Sequence, residues 1–284
     1  MKKTALSILI LVQLLLASIV SAQDYKIYYE PQDRVIFDNY LSVMKGKEHL
    51  SMDKLVVESA KFFLSAPYVA NTLEIEPEGL VINLRGLDCT TLVETVIALS
   101  KTVKDGDPSF DKFCKNIIFI RYREGKISGY QDRLHYTTDW MFENEKKGLL
   151  KRVIHTPEWE RLNLDLYIMS SNPEKYKQLK GNKALASIVK EQEKEISSRE
   201  HYYLPALKVE KNRSFFKSGD IVGFTTNIKG VDVSHMGIIY KEGEQLTFIH
   251  ASFTHKKVLV NKEPLSVYLN NTKATGVVLS RIIY

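Results

Sequence analysis

Helical spacing in the first half of this 284-residue sequence and short strand-like runs in its last third predict an α+β fold. In that fold, N-terminal helices pack on an antiparallel sheet. Between the two lies a stretch, residues 125 to about 211, with neither pattern well developed. It reads as a large middle insertion in a core formed by residues 51–124 and 212–284, about one domain in size.

The chain opens with Lys2 and Lys3, an apolar run from Ala5 to Ala17, and the small residues Val20, Ser21 and Ala22. These are the three parts of a secretory signal peptide, residues 1–22, with cleavage expected before Gln23. The apolar run is short for a membrane span, which needs about 20 residues. No later segment is apolar enough to be one, and no cysteine stands at the cleavage site to carry a lipid. The expectation is a soluble, exported, monomeric protein of residues 23–284. Loss of the two leader lysines lowers the formal charge from +6 to +4. No basic block is interleaved with aromatics, so nucleic acid is not an expected partner.

Ser51 to Ala66 reads as the first helix, with Leu55, Val56, Ala60, Phe63 and Leu64 at helical spacing and Pro67 as its stop. After a loop with Pro77, Gly79 and Gly86, a second helix runs from Cys89 to Lys101 and a third from Phe110 to Tyr122. Cys114 sits in an apolar run of the third and reads as a core residue. The insertion holds Trp140, Trp159 and a charged helix from Lys183 to Arg199. Strands are predicted at Asp220–Thr225, Met236–Tyr240, Leu246–His250, Val258–Val260 and Val277–Ile283.

Cys89 shares a helix face with Leu92, Val93, Val96 and Ile97, so its thiol points where the helix packs. That placement suits a core cysteine. Its position in the first turn suits a nucleophile as well, because unpaired N–H groups and the helix dipole favour an anion. There a thiol pKa is expected to fall by about a unit or more, and Asp88 is placed to cap the helix. In an exported protein Cys89 and Cys114 equally fit a disulfide.

A nucleophile needs a base. His235 opens one predicted strand and His250 ends the next. If Tyr240 and Gln245 close the hairpin, opposed residue numbers sum to 485 and the two histidines face each other. A slip of one residue would put them on opposite faces. No C-x-x-C or H-x-x-x-H spacing is present, so neither zinc nor another metal or cofactor is expected.

These segments resemble the NlpC-type cell-wall hydrolases, papain-like cysteine enzymes, in the order Asp-Cys helix start, His-x-Gly-Ile strand and His-Ala-Ser strand end. Leu87–Glu94, Arg133–Tyr136 and Gly219–Phe224 resemble one branch, the N-acetylmuramoyl-L-alanine amidase-like family. The resemblance implies a papain-like core with Cys89 as nucleophile, His235 as base, His250 as third member, and Tyr68 beside the nucleophile. It also implies an amidase acting on anhydro-muropeptides, the sugar–peptide fragments of peptidoglycan, and the signal peptide places it in the periplasm. Substrate-binding candidates are Tyr68, Asp88 and, in the insertion, Arg133, His135, Tyr136, Asp139 and Trp140. Aromatic faces there could stack on sugars, or Trp140 and Tyr136 could pack inward. Two alternatives stay open: a γ-D-glutamyl–diamino-acid endopeptidase, and a non-catalytic wall-binding protein with a disulfide.

Overall fold

The computed structural model describes residues 25–155 and 157–284; the expected signal peptide, residues 1–22, lies outside them. Helices occur where apolar residues recur on one face. α1 (Pro31–Met44) buries Phe37, Tyr40 and Met44, and α2 (Met52–Phe62) buries Leu55, Val56 and Ala60. α3 (Cys89–Lys104) is buried along nearly its whole length, and α4 (Phe110–Arg121) packs against it. α1 lies N-terminal to the first helix that the spacing predicts. A buried chain of hydroxyls, Tyr40 to Ser59 at 2.7 Å and Ser59 to Ser100 at 2.9 Å, ties α1, α2 and α3 together. Ser51 occupies the N-cap position of α2 without a side-chain bond.

Four of the strands carry the site end of the sheet: β6 (Ile221–Thr226), β7 (Val233–Glu242), β8 (Gln245–Ser252) and β9 (Lys257–Val260). The short strands β3 (Leu150–Arg152), β4 (Glu160–Arg161) and β5 (Tyr202–Pro205) come from the middle of the chain, and β10 (Ala274–Ile282) from its end. A two-residue parallel pair, β1 (Ile27–Tyr28) and β2 (Leu80–Val81), stands apart. The main sheet is antiparallel, in the order β4-β5-β10-β6-β7-β8-β9, with β3 also on β10. Helices first and strands last thus give the predicted mixed architecture.

Alternation along the strands divides the apolar residues between two faces. Met236, Ile238, Ile249, Ala251 and Val258 join the core under the helices. Phe224, Ile239, Leu246 and Phe248 join a second core with α7 (Leu265–Asn271). The middle segment adds α5 (Thr137–Lys146) and α6 (Lys183–Ser198) and builds a third cluster around Tyr136, Met169 and Val189. It also lends β3 and β5 to the main sheet, so it is fastened to the core along a strand edge. Among the described residues no helix is long and apolar enough to cross a membrane.

Candidate active site

Cys89 is the first residue of α3, and Asp88 is its N-cap. The Asp88 carboxylate accepts from Thr91 N–H and Thr91 Oγ1–H, both at 2.8 Å, while Thr91 Oγ1 accepts from Asp88 N–H at 2.9 Å. This reciprocal cap satisfies donors that the helix start leaves open, and it occupies the Asp88 side chain. The approach to Cys89 is equally fixed. Tyr68 bridges in parallel to Leu87, and its own N–H donates to Lys256 O at 2.9 Å, so the segment sits between the end of the sheet and the nucleophile candidate.

The Cys89 thiol does not show the lowered pKa that its helix position alone predicts. Burial pushes it up to about 11, and the Asp88 carboxylate adds to the rise. Donors from Met236 N–H and from Thr90 act the other way without reversing it. Thr90 Oγ1 lies 4.0 Å from Sγ. Cys114 is buried in the helical core, and both cysteines are free thiols, so the disulfide alternative has no bond to support it.

The two histidines meet, but by a different register from the predicted one. Glu242 pairs with Gln245 and Ile238 with Ile249, so opposed numbers sum to 487, not 485. An even shift keeps both histidines on one face and makes them diagonal neighbours. His235 Nε2 and His250 Nδ1 are 2.7 Å apart. Gly237 leaves the space: a Cβ there would lie 3.0 Å from Ile249 O and Phe248 Cδ2, and 3.5 Å from His250 Cβ. The His235 ring stacks on Phe224, and His250 packs against Phe248 and Tyr268. Burial lowers His235 to about 4 and His250 to about 3, so both rings are neutral near pH 7.

Cys89 and His235 border the same cavity, of about 640 Å³. Among the described residues no hydrogen bond joins Sγ to His235; the thiol lies instead against the N–H of the next residue, Met236. A bulge between Phe224 and Thr225 marks the end of β7 that carries His235.

Of the candidates in the middle segment, the cavity wall includes His135 and Tyr136. His135 Nε2 lies 3.1 Å from Tyr130 O, so it carries the proton, and burial lowers this ring to about 3. Tyr136 donates to Glu193 at 2.6 Å. The other three turn away. Arg133 is a buried clamp on Glu78 at 2.7 Å and Glu74 at 2.8 Å. Asp139 is held between Arg123 at 2.5 Å and Arg199 at 2.6 Å. Trp140 is 1% exposed in the helical core and offers no face to a sugar. Trp159 is likewise buried.

Spacing also leaves unmarked the wall formed by Ile168, Met169, Lys175, Tyr176 and Lys177. Its one local signal is Asn172-Pro173, a turn-forming pair. Among the described residues no group of three or more His, Cys, Asp or Glu side chains is arranged to hold a metal ion.

Comparison with known proteins matches residues 58–277 to the model of the AmiA-like family, described as N-acetylmuramoyl-L-alanine amidase-like. A crystal structure of an N-acetylmuramoyl-L-alanine amidase from Bacteroides uniformis is 42% identical, with a TM-score of 0.77 over 82% of this chain and 99% of that one. A Bacteroides fragilis protein with a provisional xylanase designation is 40% identical, with a TM-score of 0.74 over 79% and 99%. A Legionella pneumophila protein shares the fold at 21% identity, with a TM-score of 0.66 over 89% and 95%. Among curated proteins nothing matches significantly. With most of its length matched to one family model, the chain belongs to the N-acetylmuramoyl-L-alanine amidase-like family.

Proposed function

We propose that the protein is a cysteine-dependent N-acetylmuramoyl-L-alanine amidase that acts on peptidoglycan fragments, with anhydro-muropeptides as its substrates. The observation that carries this reading is that His235, bonded to His250, borders the same cavity as a cysteine in the first turn of α3. Family membership supports an amidase acting on peptidoglycan. The fold reading that goes with it is a papain-like, NlpC-type core of residues 51–124 and 212–284, interrupted by a substrate-recognition insertion. The protein works as an exported, periplasmic monomer after loss of residues 1–22.

In the resting site Cys89 is a thiol and His235 a neutral imidazole. His235 Nε2–H donates to His250 Nδ1, which leaves His235 Nδ1 free as the base. Substrate closes the remaining gap between thiol and ring. As Sγ attacks the lactyl carbonyl, its proton passes to His235 Nδ1 and the carbonyl oxygen becomes an oxyanion. First-turn amide N–H groups, that of Cys89 included, stabilise this charge. When the C–N bond breaks, His235 returns the proton to the departing L-alanine amine and a thioester remains. Water then attacks the thioester, again with His235 as base, and releases the sugar acid and the thiol.

Glycoside hydrolysis in its common form uses two carboxyl groups flanking the scissile bond. The two carboxylates of the cavity wall are otherwise engaged: Glu74 by Arg133, and Asp232 by Thr138 and Val233. The xylanase designation of the Bacteroides fragilis relative therefore finds no support in this site.

The test is digestion of defined anhydro-muropeptides followed by mass spectrometry. The expected products are a free sugar acid and an intact stem peptide beginning with L-alanine. A sugar-linked dipeptide would establish endopeptidase action instead.

A further inference from the structure

We propose that Lys175, supported by Lys177, binds a free carboxylate of the stem peptide, so that the protein selects fragments whose D-glutamyl α-carboxyl group is not amidated. This rests on the amidase reading, because it takes a stem peptide as the group that leaves.

Two lysines of the cavity wall that pair with no carboxylate bordering it point to an anionic ligand. Four charged side chains border it: Glu74, Asp232, Lys175 and Lys177. Glu74 is paired with Arg133 at 2.8 Å, a guanidinium that it shares with Glu78 at 2.7 Å. Asp232 is buried and accepts from Thr138 N–H, Thr138 Oγ1–H and Val233 N–H at 2.7, 2.8 and 2.7 Å. His135 and His235 are held neutral by burial and contribute no positive charge. Lys177 has only a loose, exposed contact with Glu76 at 3.6 Å. Among the described residues Lys175 has no carboxylate partner at all. Both lysines stand exposed on the cavity wall, and among the described residues neither is paired with a carboxylate that borders the cavity.

The backbone that carries them is fixed. Pro173–Lys175 forms a short 3-10 turn, in which Lys175 N–H donates to Asn172 O at 3.0 Å and Tyr176 N–H to Pro173 O at 3.1 Å. Asn172 Nδ2 holds the turn down on Ile168 O at 2.9 Å, and Tyr176 packs on the cluster around Tyr136 and Met169. An ion pair in open water contributes little. A cavity wall focuses the field of a charge and raises its effect on a bound ion.

Substrate chemistry says which half supplies that ion. The muramyl half carries its carboxyl as the scissile amide and has no other acid. The peptide half carries the negative charge, and its D-glutamyl residue, linked through the side chain, leaves its α-carboxyl free two residues from the cut. Amidation removes that charge and changes the shape very little.

Calorimetric titration of the Cys89→Ala protein, which cannot turn over, with paired anhydromuramyl tripeptides bearing either the D-glutamyl acid or its amide tests the assignment. The acid is expected to bind about tenfold more tightly than the amide, the worth of one charged hydrogen bond. Adding Lys175→Met should abolish that preference without weakening the amide, and Lys175→Arg should retain it. Equal affinity for acid and amide, or a preference that survives Lys175→Met, overturns the proposal. Turnover of the same ligands by the wild-type protein is scored separately. Failure to cut the sugar–peptide amide would remove the amidase reading, while the binding comparison would still decide the carboxylate site.

Discussion

A thiol in the first turn of a helix feels two opposing influences. The helix start favours the thiolate, and removal from water favours the thiol. At Cys89 the second prevails: burial is the larger influence, and the charge of the Asp88 carboxylate on the same turn adds to it. The sequence shows the cap and the cysteine but not the depth at which they are buried, and so points to the wrong direction of shift. With the thiol near 11, its ionised fraction rises about tenfold per pH unit up to pH 10. The alkylation rate of Cys89 by iodoacetamide should follow that slope from pH 6 to 10, with Cys89→Ala as the control for buried Cys114. A plateau between pH 5 and 8 would instead show a standing thiolate–imidazolium pair.

At the scale of elements, the β7–β8 hairpin decides whether the two histidines meet. Its turn is Gly243-Glu244, with Gly243 at φ +58°, where a two-residue turn of type II′ requires glycine first. That signal is legible in Glu242-Gly243-Glu244-Gln245, and it fixes the sum of 487 that a four-residue loop misses by two. Parity preserved the shared face, so the pairing of His235 with His250 could be read even from the wrong register. Strands β6 to β10 and the helices around Leu55, Leu92 and Ile117 were legible because their apolar spacing is strict, whereas the short strands β1 to β5 carry too few residues to show a pattern. α5 was not, because polar residues of its face, Asp139, Glu143 and Asn144, are buried through partners distant in sequence. Gly237 is the element's most sensitive point. Gly237→Ala should cost about 1–3 kcal/mol of stability by overpacking. It should also lower kcat at a temperature where circular dichroism shows the variant fully folded, because the new methyl group crowds the Phe248 ring on which His250 packs. An unchanged kcat would mean that the histidine contact does not serve catalysis.

The whole molecule joins helices and a sheet to a middle segment whose residues line one side of the cavity. Strand pairing of β3 and β5 with β10 joins the parts, as do the buried Asp139 carboxylate gripped by Arg123 before it and Arg199 at the end of α6, and the bonds of Thr138 to Asp232. Clustering in sequence made Arg133, His135, Tyr136, Asp139 and Trp140 look like one binding face. In three dimensions they divide, with His135 and Tyr136 on the cavity and the other three locked into the framework. A linear motif cannot reveal that division, because it depends on Glu74, Glu78, Arg123 and Arg199 arriving from elsewhere. Catalysis in this scheme passes through a single covalent intermediate at Cys89. Intact-protein and peptide mass spectrometry of an acid-quenched reaction with anhydro-muropeptide measures it directly. A sugar lactyl group on Cys89, with the stem peptide already released and no adduct in Cys89→Ala, is the predicted result; full turnover by Cys89→Ala, or an adduct on Cys89 that still carries L-alanine and D-glutamate, would contradict it.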